Sequence, residues 1–84
     1  MNFEEISELF TQLQQAKLNN AVEWECLGKT RYRTNWNGQE IEVDRRNNID
    51  KDVQEIYLKV EDFENTYSSN TEEFDFLVKF IERI

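Results

Sequence analysis

"RYRTNWNGQEIEVDRR", residues 31–46, is the stretch whose reading decides the fold. At its centre stands Asn37-Gly38, a dipeptide whose members both tolerate the positive φ of a two-residue hairpin turn. Counting outward from that turn sets Trp36 opposite Gln39, Thr34 opposite Ile41 and Tyr32 opposite Val43. On the other face Arg31 meets Asp44, Arg33 meets Glu42 and Asn35 meets Glu40. One face is therefore aromatic and aliphatic, the other a ladder of opposite charges. Cross-strand pairs of this kind contribute about 0.2–1 kcal/mol each, so Arg31 and Arg33 have a structural task before any functional one. Arg45 and Arg46 lie outside the clear pairs. With Trp36, and with Lys29, Arg31 and Arg33 nearby, they form the candidate nucleic-acid contact.

Upstream, Val22, Trp24 and Cys26 alternate with Glu23 and Glu25, the pattern of a strand with one buried face. A two-residue loop at Gly28-Lys29 would set Trp24 against Arg33, on the charged face. A loop of three or five residues, or a bulge, keeps Trp24 and Cys26 beside Tyr32. The latter is expected, because burying a tryptophan outweighs a neat turn. Cys26 then reads as a small core residue. It is the only cysteine and there is no histidine, so no internal disulfide, zinc site, Cys-His or Ser-His nucleophile is expected.

Downstream, "NNIDKD" (47–52) is a polar loop, and "VQEIYLKV" (53–60) alternates through Ile56, Leu58 and Val60 as a third strand. In "EDFENTY" (61–67), Val60, Phe63 and Tyr67 fall on one side of a short helical turn. "SSNTEE" (68–73) holds helix-start signals, Ser69 matched to Glu72 and Asn70 to Glu73.

Helices occupy the two ends. In "NFEEISELFTQLQQAKLNN" (2–20), Asn2 caps the first turn with Glu5 completing the reciprocal box. Phe3, Ile6, Leu9, Phe10, Leu13 and Ala16 make one apolar stripe, and Asn19 and Asn20 suit the end. The last helix, roughly residues 71–84, is apolar at Phe74, Phe76, Leu77, Val78, Phe80, Ile81 and Ile84. These cover an arc of about 200° at helical spacing, whereas packing on one side of a sheet needs just over about 100°. Two readings follow. The helix is wedged between the sheet and the first helix, or Phe76, Phe80 and Ile84 face another chain in a homodimer or partner contact. The first is favoured, since small domains have to use every apolar residue.

The expected architecture is thus α+β, one domain over residues 1–84: helix, three-stranded antiparallel sheet, short helical turn, C-terminal helix (αβββα). Element order alone resembles double-stranded-RNA-binding domains. That family contacts phosphates through a basic start to its last helix, whereas the matching place here reads "NTEEFD" (70–75), which repels them.

Charge is unevenly spread. The formal net charge is −8, and residues 50–75 hold nine carboxylates against only Lys51 and Lys59. Such a balance disfavours nucleic acid and anionic membranes and favours a basic protein partner. The N-terminus "MNFEEISELF" lacks the basic start and apolar run of a signal peptide, and no apolar run could span a bilayer, so a cytoplasmic location is expected. No Gly-rich phosphate loop is present, and convergence of carboxylates in a catalytic pocket is not expected in so small a domain. The expectation is a non-catalytic binding protein without cofactor or metal: an inhibitor, antitoxin or phage-type anti-defence protein. Its carriers would be Glu61, Asp62, Glu64, Glu72 and Glu73, imitating a phosphate track for a nucleic-acid-handling enzyme. A self-associating adaptor is the rival; nucleic acid is the less favoured partner.

Overall fold

The computed structural model describes residues 2–83. Helix α1 (Phe3–Leu18) is followed by strands β1 (Glu25–Cys26), β2 (Arg31–Trp36), β3 (Gln39–Asn48), β4 (Val53–Val60) and β5 (Phe63–Ser68), then helix α2 (Glu72–Ile81). The strands form one antiparallel meander in the order β1-β2-β3-β4-β5. The sheet therefore has five strands where three were expected, and the order shared with double-stranded-RNA-binding domains disappears.

The β2–β3 hairpin has the register counted from its turn, Arg31 opposite Asp44 through to Trp36 opposite Gln39. Asn37 and Gly38 both take positive φ, 53° and 78°. At the upstream turn Cys26 pairs with Tyr32 and Glu25 with Arg33, so five residues separate the paired Cys26 and Tyr32 and Trp24 stays on the apolar face. Only Glu25 and Cys26 of the alternating run join the ladder. Before them, Thr34 donates its hydroxyl to the Glu23 carbonyl at 2.6 Å.

The expected helical turn at 61–67 is instead β5. Val60 pairs with Phe63 across a two-residue turn, and the ladder runs on to Glu55 opposite Ser68. The physical reason is a coincidence of spacing. A two-residue hairpin places residues i and i+3 on one face, and alternation along the returning strand adds i+5 and i+7 to that face. Val60, Phe63 and Tyr67 meet that pattern as well as they meet a helix. The turn itself carries no glycine; Glu61 supplies the left-handed φ of 53°, a conformation rare outside Gly, Asn and Asp.

At α1 the reciprocal cap forms as expected. Asn2 Oδ1 accepts from the Glu5 N–H at 2.9 Å, and Glu5 Oε1 from the Asn2 N–H at 3.1 Å. At α2 the cap is Thr71, accepting from Phe74 N–H at 3.3 Å, and not Ser69 or Asn70. Thr71 also donates to the Ser68 carbonyl at 2.7 Å, tying the helix start to the end of β5.

Both helices lie on one face of the sheet. Ile6, Phe10, Leu13 and Ala16 of α1 share a single buried cluster with Ile41, Val43, Ile56, Leu58 and Val60 of the strands and Phe74, Leu77, Phe80 and Ile81 of α2. The wide apolar arc of α2 is used from two sides. Phe80 stands edge-on to Phe10, with ring centroids 4.7 Å apart, and lies 5.6 Å from Trp24. Phe76 stands edge-on to Phe3 at 5.8 Å. Cys26, expected in the core, is exposed, its thiol turned to the Gly28 carbonyl. It lies on the shortest strand, at the sheet margin beyond the reach of both helices.

Phe10 is fully buried, and truncating such a phenylalanine costs about 3–5 kcal/mol. A fold of this size has a total of about 5–15 kcal/mol, so Phe10→Ala is expected to move the urea midpoint by a large fraction of its value. Gly38→Ala meets open space for its Cβ and costs only the left-handed strain, about 1–2 kcal/mol. Urea melts of both variants check the ordering.

Candidate functional site

The sheet face away from the helices is covered by charge. Across β2–β3 the register sets Arg31 and Arg33 opposite Asp44 and Glu42, but their guanidinium groups engage other carboxylates, diagonal ones on β3 and, for Arg33, Glu25 directly opposite on β1. Arg31 is hydrogen-bonded to Glu42, and Arg33 lies 3.0 Å from Glu25 and 3.6 Å from Glu40. Hydrogen bonding to Glu42 raises the pKa of Arg31, and hydrogen bonding to Glu25 raises that of Arg33. Arg46 lies 3.8 Å from Asp44 and stacks over the Tyr57 ring at 5.0 Å. Tyr57 in turn donates its hydroxyl to Glu64. At the centre of this face Glu42 is only 5% exposed, walled by the long side chains that answer it. Nothing in the alternating sequence singled it out; its signal is position, mid-strand on the central β3.

The three residues expected to contact nucleic acid do not share a surface. Arg45 is opposite Ile56 and Arg46 opposite Glu55, so they point to opposite faces of the sheet. Arg45 donates to Gln54 at 2.9 Å and lies 3.8 Å from Glu82. Trp36 faces the helices at the other end of the hairpin, and its indole N–H is buried with no partner among the described residues. Arg45 and Arg46 do border a shallow hollow of about 600 Å³ with Lys29, Thr30, Asn47 and Gln54.

The self-association residues offer no continuous apolar patch. Phe80 is buried, Phe76 is half-buried beneath Phe3, and Ile84 lies outside the described residues. Among the described residues the exposed large apolar side chains are Leu18 at the end of α1, which borders a hollow with Phe80, Leu27 in the β1–β2 loop and Ile49 in the β3–β4 turn.

The five carboxylates expected to bind a partner do belong to one feature, although they do not converge to a point. Glu61 and Asp62 form the β4–β5 turn, Glu64 stands on β5, and Glu72 and Glu73 open α2 just past the other end of that strand. At about 3.3 Å per residue the strand separates the two ends by roughly 20 Å. These acids thus lie on the outer strand and on the turn and helix start at its two ends, with the Glu61 carboxylate directed back toward β3. None of the five makes an ion pair among the described residues, whereas Glu25, Glu40, Glu42, Asp44 and Glu82 all do. Even Lys59, directly opposite Glu64, makes none. Glu61 is held instead by the backbone: its Oε1 accepts from the Glu40 N–H, and its own N–H donates to the Glu40 carbonyl, both at 3.1 Å.

Among the described residues no group of three or more His, Cys, Asp and Glu side chains is placed to hold a metal ion. No helix among them is long and apolar enough to cross a membrane. No protein-family model, curated protein or solved structure matches the chain.

Two phenols titrate above the ordinary tyrosine range. Tyr57 is raised first by its hydrogen bond to Glu64, since ionisation would face two anions together; Tyr67 is raised by burial. A phenol whose folded pKa exceeds the unfolded value of about 10 stabilises the fold fully below that pH. The contribution is lost as pH rises through the folded pKa. Stability is therefore expected to decline only on the alkaline side of about pH 10 on account of these groups. In absorbance titration at the tyrosinate band, Glu64→Gln should bring one tyrosine transition down in pH and leave the others in place.

Proposed function

We propose that this is a small non-catalytic binding protein that acts by stoichiometric contact between its acidic sheet edge and a basic surface on another protein. The observation that carries the reading is the split between its carboxylates. Glu25, Glu40, Glu42 and Asp44 are engaged by arginines, whereas Glu61, Asp62, Glu64, Glu72 and Glu73, on or beside one edge strand, make no ion pair among the described residues. Unneutralised charge aligned over roughly 20 Å attracts an extended basic surface, and channels that hold nucleic acid are such surfaces. An inhibitor, antitoxin or anti-defence protein aimed at a nucleic-acid-handling enzyme fits this chemistry, and a cytoplasmic setting fits such a target.

The rival readings draw less support. Self-association through the last helix would need Phe80, which is buried against Phe10 and Trp24. A nucleic-acid contact would need Arg45, Arg46 and Trp36 together, and alternation turns Arg46 away from the other two while Trp36 packs against the core at the far end of the hairpin.

Affinity capture of the tagged protein, followed by titration of the captured partner, tests the reading. Raising salt from 0.1 to 1 M shortens the screening length from about 10 Å to about 3 Å. Binding is expected to weaken at least about tenfold over that range, equivalent to about 1.4 kcal/mol. The double change Glu72→Lys/Glu73→Lys is expected to weaken it comparably at low salt. Salt-insensitive binding that survives the double change would exclude charge as the basis of recognition.

A further inference from the structure

We infer that the acidic edge takes its partner by strand addition: an extended, lysine- or arginine-bearing segment pairs with the backbone of β5. The inference rests on the proposed function and specifies how that contact is made.

β5 is the terminal strand of the sheet, paired with β4 without a bulge from Phe63 to Ser68. In an antiparallel ladder, pairs alternate between those that exchange hydrogen bonds and those whose N–H and C=O turn outward. The pair closing a two-residue turn, Val60 with Phe63, is of the bonded kind. Asn65 and Tyr67 are then bonded to β4 as well, while Glu64, Thr66 and Ser68 direct their backbone groups to the outside. The Ser68 carbonyl is taken by Thr71, and the Thr66 N–H by the Asn65 side chain at 2.9 Å. This leaves the N–H and C=O of Glu64, the C=O of Thr66 and the N–H of Ser68 without a protein partner among the described residues. Glu64, Asn65 and Thr66 are all exposed.

Sheets ordinarily blunt such an edge with a lysine, a proline, a bulge or a very short strand. The opposite edge follows that practice, since β1 is two residues long and its Glu25 is tied to Arg33. β5 uses none of these devices in "FENTYS", residues 63–68. Its flanks decide the occupant. A second copy pairing β5 with β5 would bring Glu61, Asp62 and Glu64 toward the same acids or toward Glu72 and Glu73, all of like charge. A strand with basic side chains finds Glu64 on one face and carboxylates at both ends. Edge backbone supplies the hydrogen bonds, and the acids select the sequence.

The probe is a short capped peptide alternating lysine with threonine, titrated into the full chain at low salt. Hydrogen exchange of the Glu64 amide is expected to slow, with chemical-shift changes confined to β5 and its flanks. The same peptide N-methylated at alternate amides keeps its charge but cannot pair, and is expected to bind at least about tenfold more weakly, as loss of one or two hydrogen bonds implies. Thr66→Pro removes an N–H that only the Asn65 side chain uses and sets a pyrrolidine ring on the outer side of the strand, in the way of an added strand; edge strands tolerate the change. It should weaken the unmodified peptide while leaving the urea midpoint near the parent value. Equal binding of the two peptides, or protection absent from Glu64, overturns strand addition while leaving an acidic contact surface intact. Binding untouched by Glu72→Lys/Glu73→Lys would instead count against the charge-based reading beneath it. No binding of the unmodified peptide at millimolar concentration overturns the inference.

Discussion

The pairing of β2 with β3 through Asn37-Gly38 is the constraint from which the remaining structure follows. Because side chains alternate along a strand, this register places Thr34, Ile41 and Val43 beneath the helices and Arg31, Arg33, Glu40 and Glu42 on the opposite face. A slip of one residue would exchange the two sets. It would expose aliphatic side chains worth about 1.5–3 kcal/mol each when buried and force carboxylates under α1 and α2, at several kcal/mol per charge. No competing register approaches this one. β4 inherits the same alternation from β3, and β5 inherits it from β4, so a single turn orients four strands. The helices then have only one face on which to pack, and Phe10, Phe80 and Trp24 close the layer between them.

The same register explains how charge is partitioned. An arginine is longer than the gap between adjacent strands, so on the open face it reaches a diagonal carboxylate as readily as one directly opposite. Arg31 consequently serves Glu42, and Arg33 serves Glu25 and Glu40. The face becomes a self-contained lattice that shields Glu42 and requires no second layer. Arginines run out toward β5. Lys59 and Tyr57 are the nearest groups to Glu64, and only the phenol engages it. Glu61, Asp62 and Glu64 therefore lack an ion pair among the described residues, because β4 stands between their strand and the basic hairpin.

Much of this was legible in the residues themselves. The hairpin register, the cap of α1, a return from Cys26 long enough to keep Trp24 on the apolar face and the double-sided use of α2 all follow from turn chemistry and periodicity acting over a few residues. What escaped has identifiable causes. Val60, Phe63 and Tyr67 satisfy helix and hairpin spacing alike, and Glu61 adopts a left-handed turn without a residue type that signals it. Thr71 takes the cap because its hydroxyl also bonds the end of β5, a tertiary fact invisible in "SSNTEE". Cys26 alternates like a core residue but lies where the sheet outruns its helices. Adjacent arginines look like one patch in a sequence, yet on a strand Arg45 and Arg46 are back to back. The acids of the candidate edge were readable one by one; that they sit on and around one edge strand required knowing that the strand exists.

That strand also accounts for why so acidic a segment is compatible with an open edge. Self-pairing of β5 would satisfy only the few outward backbone groups, each worth about 0.5–1.5 kcal/mol net. Against this stand five unpaired carboxylates per copy. A like-charge pair about 10 Å apart in water opposes association by roughly 0.4 kcal/mol, and several such pairs arise in any β5–β5 alignment. The two sums are comparable, so charge does for this edge what a bulge or proline does elsewhere. The device differs from those in one respect. A bulge obstructs every strand, whereas repulsion reverses sign for a basic one, so the edge that is closed to its own kind is open to a cationic segment.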